Sequence, residues 1–183
     1  MNQKGFSKII LILIVIVLAG AAYWYWGDEI KLILQTRDWK TYHNNEFGFE
    51  FKYPQEFKTE EFNYELDEEQ SNRGVELKSD ELEIGLSINN TVYIGGAPTI
   101  TISQEEIMLN NIKATKFITF GHQGIPYGTW VLTYNFEVNG NKYRLGTTKE
   151  GYFDGETEKR DTISKNTEAL IEQIISTFKF DTY

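Results

Sequence analysis

Ile9 to Trp26 reads IILILIVIVLAGAAYWYW, eighteen residues without a charge, and no other stretch limits the architecture of this chain as severely. A helix over these residues, at about 1.5 Å per residue, is roughly 27 Å long, close to a hydrocarbon core of about 30 Å. A soluble helix of that length presents a polar face, and this one has none. Lys4 and Lys8 precede the run and Asp28 and Glu29 follow it. Tyr23, Trp24, Tyr25 and Trp26 cluster at its end, where amphipathic rings settle at the headgroup level. The pattern predicts a cytoplasmic N-tail over 1–8, with Lys4 and Lys8 setting topology, and a transmembrane signal anchor over 9–26. A juxtamembrane linker over 27–38 and an extracytoplasmic domain over 39–183 follow. The expected location is the cell membrane, single-pass, with the C-terminal domain outside the cytoplasm. Ala19-Gly20-Ala21 leaves open a cleaved signal peptide.

Residues 1–26 carry two of the 18 basic residues and no acid, so residues 27–183 hold 16 basic and 27 acidic groups, a net of −11. Phosphate contacts need clustered Lys and Arg, so nucleic acid is excluded as a partner. The absence of cysteine removes disulfides, thiolate metal sites, thiol nucleophiles and lipidation of an N-terminal cysteine. Membrane lipid, reached through the apolar span, is therefore the expected partner, with a protein of the envelope as a further one.

Beyond residue 38 the patterning changes to period 2. Phe47, Phe49, Phe51 and Tyr53 alternate with polar residues or glycine up to Pro54, and Asn44-Asn45 ahead of them predicts a hairpin with Trp39 to Tyr42. Glu81 to Ile88 alternates with Leu82, Ile84, Leu86 and Ile88 inward. Glu106 to Leu109 and Ile112 to Thr119 flank Asn110-Asn111 as a second hairpin. Thr129 to Thr148 folds back at Asn139-Gly140, the strongest short-range hairpin signal. Gln55 to Asn63 is the one place for an additional helix. At the end of the chain Ile163, Thr167, Leu170, Ile171, Ile174, Ile175 and Phe178 recur at spacings of three and four, one apolar helix face. Asp161 or Ser164 can cap its start. Phe178 to Phe180 alternates as a short last strand. The expected fold class is α+β: an antiparallel β-sheet covered by a C-terminal amphipathic helix, behind an N-terminal transmembrane helix.

Trp39-Lys40-Thr41-Tyr42 leading into Gly48-Phe49-Glu50-Phe51-Lys52-Tyr53-Pro54, the strand pair at 129–148, and the closing Ile174-Ile175-Ser176-Thr177-Phe178-Lys179-Phe180 together resemble bacterial PsbP-like domains over residues 39–180. The resemblance implies an α/β/α sandwich around an antiparallel sheet, in anchored or lipidated exported proteins. Its motifs are core patterns, so it carries over no binding residue. Lys4-Gly5-Phe6 is also similar to the prepilin signal of type IV pilins and pseudopilins, but Ile10 stands where that family has Glu.

No Gly-x-Ser-x-Gly elbow, Walker loop or His-Glu-x-x-His occurs. His43 and His122 lack a spaced His or acid partner and read as exposed loop histidines. The acidic runs Glu65–Glu69 and Asp154–Asp161 do not follow calcium-loop spacing and read as solvated loops. No catalytic residue, cofactor or metal is expected. The loop Gly121 to Gly128, with His122, Gln123 and Tyr127, is the preferred contact surface. The leading reading is a non-enzymatic anchored domain serving as a partner- or ligand-binding, scaffold or assembly-factor protein. A pseudopilin-like subunit and a hydrolase of envelope polymers, with two carboxylates across a cleft, are the alternatives.

Overall fold

The structure, a computed structural model, describes residues 13–17, 32–65, 71–89, 99–122, 127–153 and 163–181. The chain divides into two units, Met1–Asp38 and Trp39–Tyr183. In the first, residues 13–17 are helical with every side chain exposed, and residues 32–35 form a helical turn whose Leu32 carbonyl accepts a bond from the Thr36 hydroxyl. Lys4, Lys8, Tyr23, Trp24, Tyr25, Trp26 and most of the predicted anchor lie outside the described residues. Among the described residues no helix is long and apolar enough to cross a membrane.

Among its described residues the second unit contains ten antiparallel strands and one helix. The strands are β1 (Lys40–Asn44), β2 (Phe49–Tyr53), β3 (Lys58–Glu65), β4 (Ser71–Lys78), β5 (Glu83–Ile88), β6 (Thr99–Leu109), β7 (Ile112–His122), β8 (Tyr127–Val138), β9 (Asn141–Tyr152) and β10 (Lys179–Phe180); the helix is α1 (Lys165–Ser176). They form two sheets where one was expected: β1-β2-β10, and a seven-stranded sheet in the order β3-β4-β5-β9-β8-β7-β6. The last strand therefore joins β2 in the small sheet instead of extending the large one.

The predicted alternations set the register of the large sheet. Val75, Leu86, Leu145, Tyr134 and Lys116 form one cross-strand row on its inner face. All but Lys116 are buried completely. Turns follow the asparagine signals: Asn110, Asn139 and Gly140 all adopt positive φ, the conformation a tight hairpin turn demands. The hairpins are longer than their apolar cores, since β6, β7, β8 and β9 run on through Thr, Gly and Glu residues that alternate weakly.

The inner face is covered by α1 and by the small sheet. Ser164 caps α1, its hydroxyl accepting the Thr167 amide at 3.1 Å, which settles the choice between the two candidates. Ile171, Ile174 and Ile175 are its buried face. Where the helix ends, the Thr177 hydroxyl donates to the Ile174 carbonyl at 2.7 Å and accepts the Lys52 amide at 2.8 Å, tying α1 to β2. Between the two sheets lies an aromatic cluster. Phe49 stacks on Phe178 at 5.6 Å and meets Tyr143 edge-on at 5.5 Å; Phe178 also meets Phe51 and Phe136.

Three expectations are corrected. Gln55 to Asn63 contributes no helix: Lys58–Glu65 is β3, in full register with β4. Strand β4 has no counterpart in the sequence reading, because only Val75 and Leu77 mark it within SNRGVELK. The three-layer sandwich implied by the resemblance is a two-layer one among the described residues, with one large sheet opposed by a helix and a small sheet.

Candidate functional site

Since the inner face of the large sheet is occupied by its own core, a ligand surface has to come from the outer face, the ends of the strands or the small sheet. On the outer face, opposite parity brings together Gly74, Ser87, Arg144, Asn135, Thr115 and Glu106 in one cross-strand row. The next row runs through Gly85, Gly146, Thr133 and Phe117. A groove of about 440 Å³ lies over the first row, bounded by Lys113, Lys142 and Glu137; a second hollow of about 230 Å³, lined by Gly85, Val131, Thr133, Gly146 and Thr148, shares Ser87 and Arg144 with it. The two hollows thus meet at Arg144.

Arg144 is exposed, and its Nε donates to the Asn135 side-chain oxygen at 3.3 Å. Among the described residues it makes no ion pair, and neither does Lys142, whereas Lys113 is paired with Glu106 at 3.0 Å. Asn135 thus holds one edge of the guanidinium while the terminal nitrogens remain available, a fork suited to a carboxylate. The backbone amides and carbonyls of β5, β9 and β8 are taken up by the ladders, so side chains alone can recognise a ligand here. Short hydroxyls, an amide and cations bind and orient.

The glycines of this face differ in kind. A Cβ at Gly146 would come within 2.2 Å of the Leu132 carbonyl oxygen, so close backbone approach requires glycine there. A Cβ at Gly85 would meet nothing within 4 Å. Packing does not ask for glycine at Gly85, which leaves the floor of the hollow bare.

Titratable groups also cluster away from this face. Under α1, Lys116 pairs with Glu168 and lies 3.6 Å from Glu172, which also accepts the Tyr134 hydroxyl at 2.9 Å. Burial, then the bond to Glu172, pushes the Tyr134 hydroxyl far above the usual range. This network joins helix to sheet. On the small sheet His43 lies 3.1 Å from Glu50, which also accepts Lys179 at 2.8 Å; that bond holds the Glu50 carboxyl below its ordinary value.

The expected contact loop is placed only in part. His122 ends β7 and pairs with Gly128, Tyr127 opens β8 opposite Tyr152, and Gln123 lies outside the described residues. Strands thus extend into the stretch read as loop from Gly121 to Gly128. The seven steps from His122 to Thr115 span about 23 Å along β7, so the structure does not bring this loop to the Arg144 groove. His43 is likewise a strand residue, although its side chain is 63% exposed. Most of the two acidic runs lies outside the described residues.

Sequence reasoning missed Arg144, Lys142, Asn135, Ser87 and Gly85. The signal was in the polar alternates of the predicted strands. Their inward partners received the attention, yet Lys142 and Arg144, alternating with Tyr143 and Leu145, were legible.

No family model matches the chain, and no curated protein matches it. By structure the chain is similar to the solution structure of cyanobacterial PsbP from Synechocystis sp. PCC 6803, at 10% identity and a TM-score of 0.48, over 78% of this chain and 92% of that one. It is also similar to a crystal structure from Bacteroides thetaiotaomicron at 12% identity and a TM-score of 0.43, over 78% of this chain and 48% of that one. Both likenesses concern the fold.

Proposed function

We propose that this chain is a membrane-anchored, non-enzymatic binding protein that displays a PsbP-like domain outside the cytoplasm and takes its ligand on the outer face of the large sheet. The observation that carries the binding reading is the groove at Arg144, where a guanidinium without an ion pair among the described residues, held from one side by Asn135, stands among hydroxyl, amide and charged side chains. Lys113, Lys78 and Lys179, by contrast, are paired with carboxylates. The uncharged run from Ile9 to Trp26 supports attachment, and Lys4 and Lys8 support an inward N-terminus.

Fractionation and pelleting test the two halves of this reading. The full chain is expected to sediment with membranes, to resist extraction by alkaline carbonate and to be digested by protease added outside the cell. Purified in detergent micelles, it is expected to co-sediment with isolated envelope polymer without releasing soluble fragments from it. Arg144→Glu should abolish that co-sedimentation. Extraction by carbonate refutes the anchor; failure to co-sediment, or turnover of the polymer, refutes the binding role.

A further inference from the structure

The outer face offers a more specific assignment, which rests on the binding reading above. Its two hollows are contiguous through Ser87 and Arg144, and the first of them alone crosses from Thr115 on β7 to Ser87 on β5. Three interstrand steps of about 4.8 Å make this roughly 14 Å, the length of two to three linked sugar rings. The lining is short: Ser87, Thr115, Thr133 and Thr148 offer hydroxyls that both donate and accept, and Asn135 offers an amide. Half-buried Phe117, opposite Thr133 in register, lies on the same side of the sheet. With the backbone of the central strands already paired, an extended peptide would find no ladder to join. A hydroxylated ring needs none.

Charge narrows the class further. In a domain of net −11, Arg144 and Lys142 stand two residues apart on β9 without an ion pair among the described residues. Glu137 lies opposite Lys142 in register, Glu106 is engaged by Lys113, and Glu83 lines the second hollow four residues along β5 from Ser87. Arg144 is thus the cation best placed for an incoming carboxylate. We infer that the groove centred on Arg144 and floored by Gly85 binds an acidic oligosaccharide, with a uronate carboxylate on Arg144 and a neighbouring ring over the bare floor at Gly85.

Glycine at Gly85 makes the inference testable apart from folding. The site has free space and no positive φ, so Gly85→Val adds a strand-favouring side chain where nothing obstructs it. The full chain in detergent micelles is titrated calorimetrically with trigalacturonate, with neutral galactotriose and with inorganic phosphate. Trigalacturonate is expected to bind, galactotriose to bind at least tenfold more weakly, and phosphate not to compete at equal concentration. Arg144→Gln should cost about tenfold to a hundredfold, as loss of a charge-assisted bond does. Gly85→Val should abolish binding while the thermal midpoint holds or rises. Equal binding of the neutral trimer, competition by phosphate, unaltered affinity in Gly85→Val, or no binding of trigalacturonate would each overturn the inference. In the last case co-sedimentation with envelope polymer still judges the broader reading separately.

Discussion

Tyr42 shows how a single hydroxyl links the sheets and sets a pH limit. It is buried, donates to Glu61 on β3 at 2.7 Å and accepts the Asn44 side-chain amide at 3.2 Å. Burial first, and the bond to Glu61 second, push its ionisation up from 10.0 to about 12. In the unfolded chain the same hydroxyl ionises near its ordinary value. The stability it contributes is therefore complete below pH 10 and is lost as pH rises through the interval up to about 12. Thermal midpoints measured between pH 9 and 12 should decline less steeply in Tyr42→Phe than in the parent chain. An identical decline would place the alkaline limit elsewhere, with buried Tyr134 and Tyr143 as the next groups to test.

The unit formed by α1 and strands β7 and β8 depends on one lysine. Lys116 has a side chain only 11% exposed, and it is paired with Glu168 and near Glu172. Its removal strands two partly buried carboxylates beside an apolar sheet, whereas neutralising all three leaves ordinary hydrogen-bonding groups. Lys116→Met is expected to lower unfolding free energy by about 2 kcal/mol. Adding Glu168→Gln and Glu172→Gln should restore most of that loss in a denaturant titration. A triple variant no more stable than the single one would mean that packing of the lysine stem, and not charge, holds the helix.

These elements also explain what the sequence could disclose. Helix α1 and strands β2, β5, β8 and β9 bury one face each, so their periods are written in Ile, Leu, Phe and Tyr. Strand β3 is an edge strand with Glu60, Glu61 and Tyr64 exposed, and no buried side would impose a period on it. Its acids and lysine are equally at home on a helix. The site was harder to read because recognition sits on the polar alternates, whose significance depends on which strands become neighbours. Ser87 and Arg144 are 57 positions apart and become partners only through the β5–β9 pairing.

For the whole molecule, the compact unit Trp39–Tyr183 contains both sheets, the helix and the aromatic cluster. A fragment of residues 39–183 is expected to express without detergent, to unfold cooperatively and to keep the dispersed amide spectrum of a folded β protein. Its thermal midpoint should lie within about 3 °C of the domain transition in the full chain, because a shift that small corresponds to about 1 kcal/mol at this size. A fragment that aggregates or lacks a cooperative transition would show that the first 38 residues contribute to the fold itself.

The position of β10 has a consequence for biosynthesis. Lys179 and Phe180 pair with Glu50 and Phe49, so the sheet begun by the first strands of the domain is completed by its last strand. A nascent polypeptide still held in the ribosome or a translocation channel keeps its C-terminal stretch out of reach. The small sheet then lacks its third strand and the aromatic cluster lacks Phe178. Closure waits until residues 177–180 have emerged, so a chain stopped just after Ser176 would lack the segment that seals the domain.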